Sequence, residues 1–143
     1  MFMKYLISIC VLTFLSLNTI AQCDKNVVYI AGKADFVDSA GNVLRSKQSK
    51  ITARFSKTEF VLVHDDDEDD ALRGDVKNLS CEWKVPFQNG KTIFESDLVE
   101  KSGEKNNGVV SIEGKDGKLL IMINFKSRGM ILKIVPESYT EME

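Results

Sequence analysis

Residues 108–125 read GVVSIEGKDGKLLIMINF, two runs of alternating apolar side chains on either side of Asp116-Gly117. Asp-Gly between such runs is typical of a two-residue type I′ turn, because both turn residues adopt a positive φ there. That turn pairs Ile112 with Ile121, so that apolar side chains of both strands share one face. The segment therefore predicts an antiparallel hairpin with one buried face.

A second turn is predicted at Asn89-Gly90, directly after the alternating segment 79–87. A two-residue type I′ turn there would set Trp83 opposite Ser96, a large side chain against a small one. In that register Pro86 falls at a hydrogen-bonded pair, and proline has no N–H to donate. We therefore expect a bulge, an edge position or a longer loop at Pro86.

The period of two continues through most of the chain after residue 26, interrupted by turn residues about every eight to twelve positions. It predicts that the buried face of the first strand is formed by Val28, Ile30, Ala34 and Phe36. Eight strands are predicted in all, at 27–37, 43–55, 58–64, 76–87, 91–100, 108–114, 118–126 and 129–136.

Strands joined by short turns form an antiparallel meander, and eight strands are enough to close a barrel that leaves no exposed edges. The predicted fold class is therefore all-β, a small barrel, with a two-sheet β-sandwich as the alternative. In size and strand count this plan resembles the small lipocalin-like barrels. The Gly-x-Trp signature that lipocalins carry near the first strand is absent, and the single tryptophan, Trp83, lies in the fourth predicted strand.

Residues 1–21 have the pattern of an export signal. Lys4 precedes an apolar run, and Thr19-Ile20-Ala21 places small residues at the two positions that signal peptidase reads. The apolar run is shorter than the ~20 residues that a bilayer-spanning helix needs. We therefore predict removal of residues 1–21, a secreted or periplasmic location, no transmembrane segment after cleavage, and one domain at 22–143.

Two cysteines, Cys23 and Cys81, remain once Cys10 leaves with the signal. In an oxidising compartment a disulfide between them is one interpretation, and two free thiols are the other. Ile20-Ala21-Gln22-Cys23 also resembles the lipobox of bacterial lipoproteins, in which the cysteine is acylated, but Gln22 stands where that motif has Gly, Ala or Ser. Lipoprotein anchoring at Cys23 is thus an alternative that the sequence does not favour.

The segment 65–75 begins with six consecutive carboxylates. Adjacent like charges repel, so the segment is predicted to be an extended, solvated loop. Oxygen clusters also bind hard cations such as Ca²⁺, which makes a weak calcium candidate of Asp65, Asp67 and Asp69. The glycine and the distal glutamate of an EF-hand loop are missing at the required spacing. Calcium apart, no cofactor is predicted.

Catalytic and nucleic-acid-binding sites find little support. The single histidine, His64, excludes the two-histidine HExxH zinc motif. The formal net charge of −2 and the absence of aromatic residues within the basic segment 45–50 argue against nucleic acid as a partner. In the predicted second hairpin Glu82 opposes Asp97 on an exposed face. A hydrolase using this paired carboxylate is a distant alternative to a protein that is not an enzyme.

Two sets of apolar residues indicate binding instead. The outer face of the last hairpin is predicted to contact a protein partner or a second copy of the chain through Leu120, Met122, Ile131 and Val135. The alternative is a carrier of a small lipophilic molecule inside the barrel, with an interior formed by Phe60, Trp83, Phe94 and Phe125. The leading hypothesis is the first, a non-enzymatic β-domain with a binding or structural role.

Overall fold

The computed structural model describes residues 22–142, which form one antiparallel β-sheet that closes on itself. The predicted export signal, residues 1–21, lies outside them. Within residues 22–142, no helix is long and apolar enough to cross a membrane. Two short 3-10 helices are present, at Gln22–Asp24 and at Glu68–Asp70.

Hydrogen bonding connects β1, β2, β3, β4, β6, β7, β8 and β9 in that order and returns to β1, so the sheet is a closed barrel with eight positions. β5 follows β4 and pairs with β6, while β10 follows β9 and pairs with β1. The prediction of a small all-β barrel is confirmed, and the sandwich alternative is wrong. The strands are β1 (Asn26–Asp38), β2 (Val43–Phe55), β3 (Glu59–His64), β4 (Leu72–Asp75), β5 (Lys77–Val85), β6 (Asn89–Val99), β7 (Lys105–Lys115), β8 (Lys118–Phe125), β9 (Met130–Ile134) and β10 (Ser138–Met142).

The up-and-down course of the chain gives the barrel two different ends. Connections 39–42, 65–71, 100–104 and 126–129 lie at one of them, here called the open end. Connections 56–58, 86–88 and 116–117 and both termini of the described chain lie at the other, the closed end. Phe87 fills the closed end, where it is 3% exposed and stacks on Tyr139 with 4.1 Å between ring centroids.

The hairpin of β7 and β8 has the predicted register, with Ile112 opposite Ile121. Asp116 and Gly117 have φ angles of 51° and 79°, the positive values that a type I′ turn requires. The buried faces of these two strands supply much of the core. Its largest fully buried side chains are Tyr29, Phe60, Phe94, Leu98, Ile112, Ile121, Ile123 and Ile134.

The predicted register of β5 and β6 is wrong, because Trp83 lies opposite Gly90 and not opposite Ser96. The turn consists of residues 86–88, so Pro86 lies outside the ladder, where its missing N–H costs no hydrogen bond. This is the longer loop that Pro86 led us to expect. Gly90 is needed inside the strand, because a Cβ there would lie 2.5 Å from the Cα of Trp83.

The predicted buried face of β1 is wrong for its first half. Val27, Tyr29 and Ala31 are buried there, which leaves Val28 and Ile30 on the outer face. The ladder between β1 and β2 shifts between Ala31 and Lys33, and such a β-bulge reverses the alternation of side chains. Beyond the bulge Ala34 is buried and Phe36 faces inward, as predicted.

Two strands were not predicted. β4 (Leu72–Asp75) occupies the last four residues of the segment 65–75, and it pairs with β3 through Phe60 and Gly74. β10 (Ser138–Met142) extends the chain along the first half of β1 after an interruption at residues 135–137. β4 joins β3 to β6, so the acidic connection at the open end is confined to residues 65–71.

Candidate functional site

A cavity of about 690 Å³ opens at the open end of the barrel. We call it the open-end cavity. Its floor is apolar and comes from β1, β2, β3, β4, β8 and β9, through Ala34, Ile51, Leu62, Leu72, Phe125 and Leu132. Its rim is polar and charged, and consists of Arg45, Lys47, His64, Asp70, Glu100, Lys101 and Arg128.

The cavity exists because the barrel interior changes from large side chains to small ones along its axis. Deeper in the barrel, Phe94 packs against both Phe55 and Phe60 with 5.5 Å between ring centroids, and these rings fill the interior. Nearer the open end the lining includes Ala34, whose methyl group leaves space between the strands unfilled. The middle of the barrel is therefore packed, and the open-end cavity occupies the part near the open end.

Some of the charged rim groups neutralise one another. Arg128 donates to the Oε1 of Glu100 at 3.2 Å and lies 3.6 Å from the Oε1 of Glu104. Asn106, which is 3% exposed, donates to the same Oε1 of Glu100 at 3.3 Å. His64 lies 3.5 Å from Asp70. Glu100 therefore has a charged partner on the rim, whereas Asp70 has an imidazole beside it.

Three rim cations remain without a carboxylate partner among residues 22–142, namely Arg45, Lys47 and Lys101. The guanidinium of Arg45 lies 4.4 Å from the ring centroid of Phe36, and this cation–π contact holds it against the cavity wall. Among the residues that line the cavity, the four lysine and arginine side chains outnumber the two carboxylates.

Arg45 and Lys47 face the cavity because of the register of β1 and β2. Arg45 lies opposite Phe36 and Lys47 lies opposite Ala34, and opposite residues of an antiparallel pair point to the same side of the sheet. β3 pairs with β2 only as far as Ile51, and Lys50 bonds to Asp65 of the acidic connection, so residues 43–49 of β2 pair with β1 alone. The two cations therefore stand on an exposed strand above the floor.

The acidic connection contains the predicted calcium candidates Asp65, Asp67 and Asp69. Asp65 accepts a hydrogen bond from the backbone N–H of Lys50, and Asp67 accepts one from the backbone N–H of Asp69. Within residues 22–142, no group of three or more His, Cys, Asp or Glu side chains is placed to hold a metal ion. The calcium candidates Asp65, Asp67 and Asp69 are thus not brought together. Glu68 instead binds Arg54 and Arg73, with oxygen to nitrogen distances from 2.6 to 2.9 Å.

The predicted cysteine pair lies near the closed end. A disulfide joins Cys23 to Cys81 across 58 residues of sequence. Thr92 lies beside it, with its Oγ1 3.5 Å from the Sγ of Cys23, and accepts a 2.8 Å hydrogen bond from the indole N–H of Trp83. The disulfide fixes the start of the described chain to β5.

The other candidate residues are widely separated. Phe60 and Phe94 are packed in the core, and Trp83 lies near the closed end, so that of the four predicted interior residues only Phe125 lines the cavity. Leu120, Met122 and Ile131 lie half-buried on the outer face of β8 and β9, and Val135 is 59% exposed. The predicted carboxylate pair is wrong, because Glu82 lies opposite Lys91 and Asp97 lies opposite Asn107.

No protein-family model, curated protein or solved structure matches the chain. The rim cations Arg45 and Lys47 were not predicted, although the sequence carries a signal for them. Ile51, Ala53 and Phe55 face inward on β2, and alternation continued towards the start of that strand puts both cations on the same face.

Proposed function

We propose that the chain is an exported, non-enzymatic binding protein that takes the apolar part of a small ligand into the open-end cavity. The observation that carries this proposal is a cavity of about 690 Å³ with an apolar floor above a filled barrel core. Ligand sites have volumes of roughly 300–1,000 Å³ and are mostly apolar, with a few polar groups that orient the ligand. The open-end cavity has these properties.

The energetics favour an aliphatic ligand. Each methylene group that leaves water contributes about 0.8 kcal/mol, so that six methylenes contribute about 5 kcal/mol before the cost of ordering the ligand is subtracted. The floor residues Leu62, Leu72 and Leu132 supply the apolar surface for such a chain. An alkyl chain is the simplest ligand that uses the floor.

Export is part of the proposal. It is supported by the disulfide between Cys23 and Cys81, because such bonds persist in oxidising compartments. A sulfur atom in a disulfide cannot also carry a thioether-linked lipid, so the same bond argues against lipoprotein anchoring at Cys23. The proposed location is therefore secreted or periplasmic, without a lipid anchor.

Titration with dodecanol below its solubility limit tests the proposal, with Ala34→Phe as the decisive variant. Ala34 is buried in the cavity wall, and a phenyl ring there occupies the space that the alkyl chain would take. We expect the unaltered protein to bind dodecanol and Ala34→Phe to lose this binding while its thermal unfolding stays cooperative. Val85→Phe, at a site near the closed end that is 48% exposed, is the matched control and should bind normally.

A second candidate function is contact with a protein partner through the outer face of the last hairpin. Its support is the set of half-buried apolar side chains Leu120, Met122 and Ile131 on that face, with Val135 59% exposed. Sedimentation of a Met122→Lys, Val135→Lys double variant tests it. Loss of self-association or of a co-purifying partner, with the fold intact, is expected from this candidate, and unchanged behaviour rejects it.

A further inference from the structure

The charges of the rim indicate which charge the head group of the ligand carries. We infer that the ligand is an aliphatic chain with one anionic head group, and that Arg45, Lys47 and Lys101 contact this head group. The inference rests on the proposed function, because it concerns the polar end of a molecule whose apolar end lies on the cavity floor. It adds the chemical class of the ligand.

Arg45, Lys47 and Lys101 lie above the cavity floor. Lys47 lies opposite Ala34 and Arg45 lies opposite Phe36, so both cations project from the inner face of β2 on the solvent side of the floor. Lys101 reaches the same cavity from the connection between β6 and β7. An alkyl chain lying on the floor would therefore bring its polar end to the level of these side chains.

The lysine and arginine side chains of the rim outnumber its carboxylates. Of the rim acids, Glu100 forms an ion pair with Arg128 at 3.2 Å, and Asp70 lies 3.5 Å from the imidazole of His64. Arg45, Lys47 and Lys101 are the rim cations that have no ion pair within the described residues. An anionic head group gives these cations the partner that the chain itself does not supply, whereas a cationic head group is repelled by all of them.

The unpaired cations and the apolar floor belong to the same cavity. An inorganic anion would use the cations and leave the apolar floor in contact with water, and an uncharged alcohol would use the floor and leave the cations unused. The guanidinium of Arg45 is held by the ring of Phe36, so part of the cost of ordering it is met before a ligand binds. A molecule with one anionic end and one aliphatic end uses the whole cavity.

Calorimetry measures the affinity of the intact exported chain for four compounds, namely dodecanoate, dodecanol, dodecyltrimethylammonium and inorganic phosphate. We expect dodecanoate to bind most tightly, dodecanol more weakly, and the ammonium compound and phosphate not measurably. The preference for dodecanoate over dodecanol should shrink between about 0.02 M and about 0.5 M salt, because salt screens exposed charges.

The double variant Arg45→Gln, Lys47→Gln assigns the effect to these residues. Exposed charge pairs contribute up to about 1 kcal/mol each, so dodecanoate should bind about five- to twentyfold more weakly while dodecanol binding is unchanged. The matched control is Lys84→Gln, Lys115→Gln, which removes the same charge from two exposed positions that do not line the open-end cavity. It should leave both affinities unchanged.

The outcomes separate the two claims. Equal binding of dodecanoate and dodecanol, or a dodecanoate preference that survives in the Arg45→Gln, Lys47→Gln variant, overturns the head-group inference and leaves the proposed function standing. Absence of binding by all alkyl probes overturns the proposed function and the inference with it. Binding of phosphate as tight as that of dodecanoate overturns the inference, because the site would then be a simple anion site.

Discussion

Gly74 of β4 lies so close to Ser96 of β6 that no side chain fits between the two strands. A Cβ at position 74 would lie 2.7 Å from the backbone oxygen of Asp97 and closer still to the Oγ of Ser96. This contact lies where β4 passes from β3 to β6 and so helps to close the barrel. It also adjoins Leu72, part of the cavity floor.

Gly74→Ala should destabilise the fold. The Asp97 oxygen belongs to the backbone, so rotation of a side chain cannot relieve the overlap, and overpacking of this kind costs about 1–3 kcal/mol. The matched control is Gly32→Ala, where the nearest atom is the carboxylate oxygen of Glu137 at 3.0 Å, which can move away. Urea unfolding measures both variants, and equal midpoints would contradict the close packing of β4 on β6.

Ser96→Ala should leave the free energy of unfolding unchanged or raise it by about 1 kcal/mol. The Oγ of Ser96 is buried and has no hydrogen-bond partner among the described residues, so its removal relieves a cost. Thr92→Val is the contrasting variant on the same strand. It leaves the indole N–H of Trp83 without its 2.8 Å acceptor and should lower the free energy by about 1–3 kcal/mol. A large loss in Ser96→Ala would contradict the assignment.

Replacing both Cys23 and Cys81 with serine should lower the free energy of unfolding by about 4 kcal/mol, the chain-entropy value for a loop of this length. The closed segment spans 58 residues, and the bond fixes the start of the described chain to β5. Urea unfolding measures the loss. Mass determination after alkylation without reductant is the control, since two alkylated thiols in the oxidised, exported chain would refute the disulfide.

Acid should destabilise the fold through exposed carboxylates. Hydrogen bonds from Arg54, with Arg73 contributing, lower the pKa of Glu68 below its usual 4.5, and hydrogen bonds from Asn107 and then Lys77 lower the pKa of Asp97 below its usual 3.8. The folded state therefore binds fewer protons than the unfolded state in this range. The stabilisation is complete above the unfolded-state pKa values and is lost as the pH falls through the lower folded-state values.

We accordingly expect a urea midpoint that is constant from about pH 7 to about pH 5 and falls below about pH 4. Glu68→Gln should show a smaller decrease between neutral and acidic pH, because it removes one of the groups whose pKa is lowered. Asp116→Asn, at a residue whose carboxylate accepts no hydrogen bond within the described chain, serves as the comparison. A decrease of the same size in Glu68→Gln would contradict the role of the Arg54 contact.

Local signals predicted the parts of the fold that depend on a few neighbouring residues. The hairpin at Asp116-Gly117 was predicted in register because its turn geometry and its two apolar runs agree. The β5–β6 hairpin offered two competing turns within five residues, and packing decided between them. A Cβ on Gly114 would lie 2.7 Å from the ring of Trp83. A glycine on β7, the next strand in the sheet after β6, therefore helps to hold the observed register of β5 and β6.

The candidate site could be predicted only in part. A lipophilic interior was one of the hypotheses, but which aromatic residues fill the barrel and which line a cavity depends on their height along the axis. Phe94 is packed in the barrel core, and Phe125 lines the open-end cavity. The inward orientation of Arg45 and Lys47 follows from the alternation of side chains along β2. Their lack of ion-pair partners depends on contacts between segments that are distant in the sequence.

Methyl NMR of the protein titrated with dodecanoate tests the central claim most directly, because it reports separately on each part of the barrel. The account predicts saturable shifts of the methyl groups of Ala34, Leu62 and Leu132, with little change at Val110 in the packed core. Shifts confined to Leu120 on the outer face, or no saturable shifts at any of these methyl groups, would contradict a ligand in the open-end cavity.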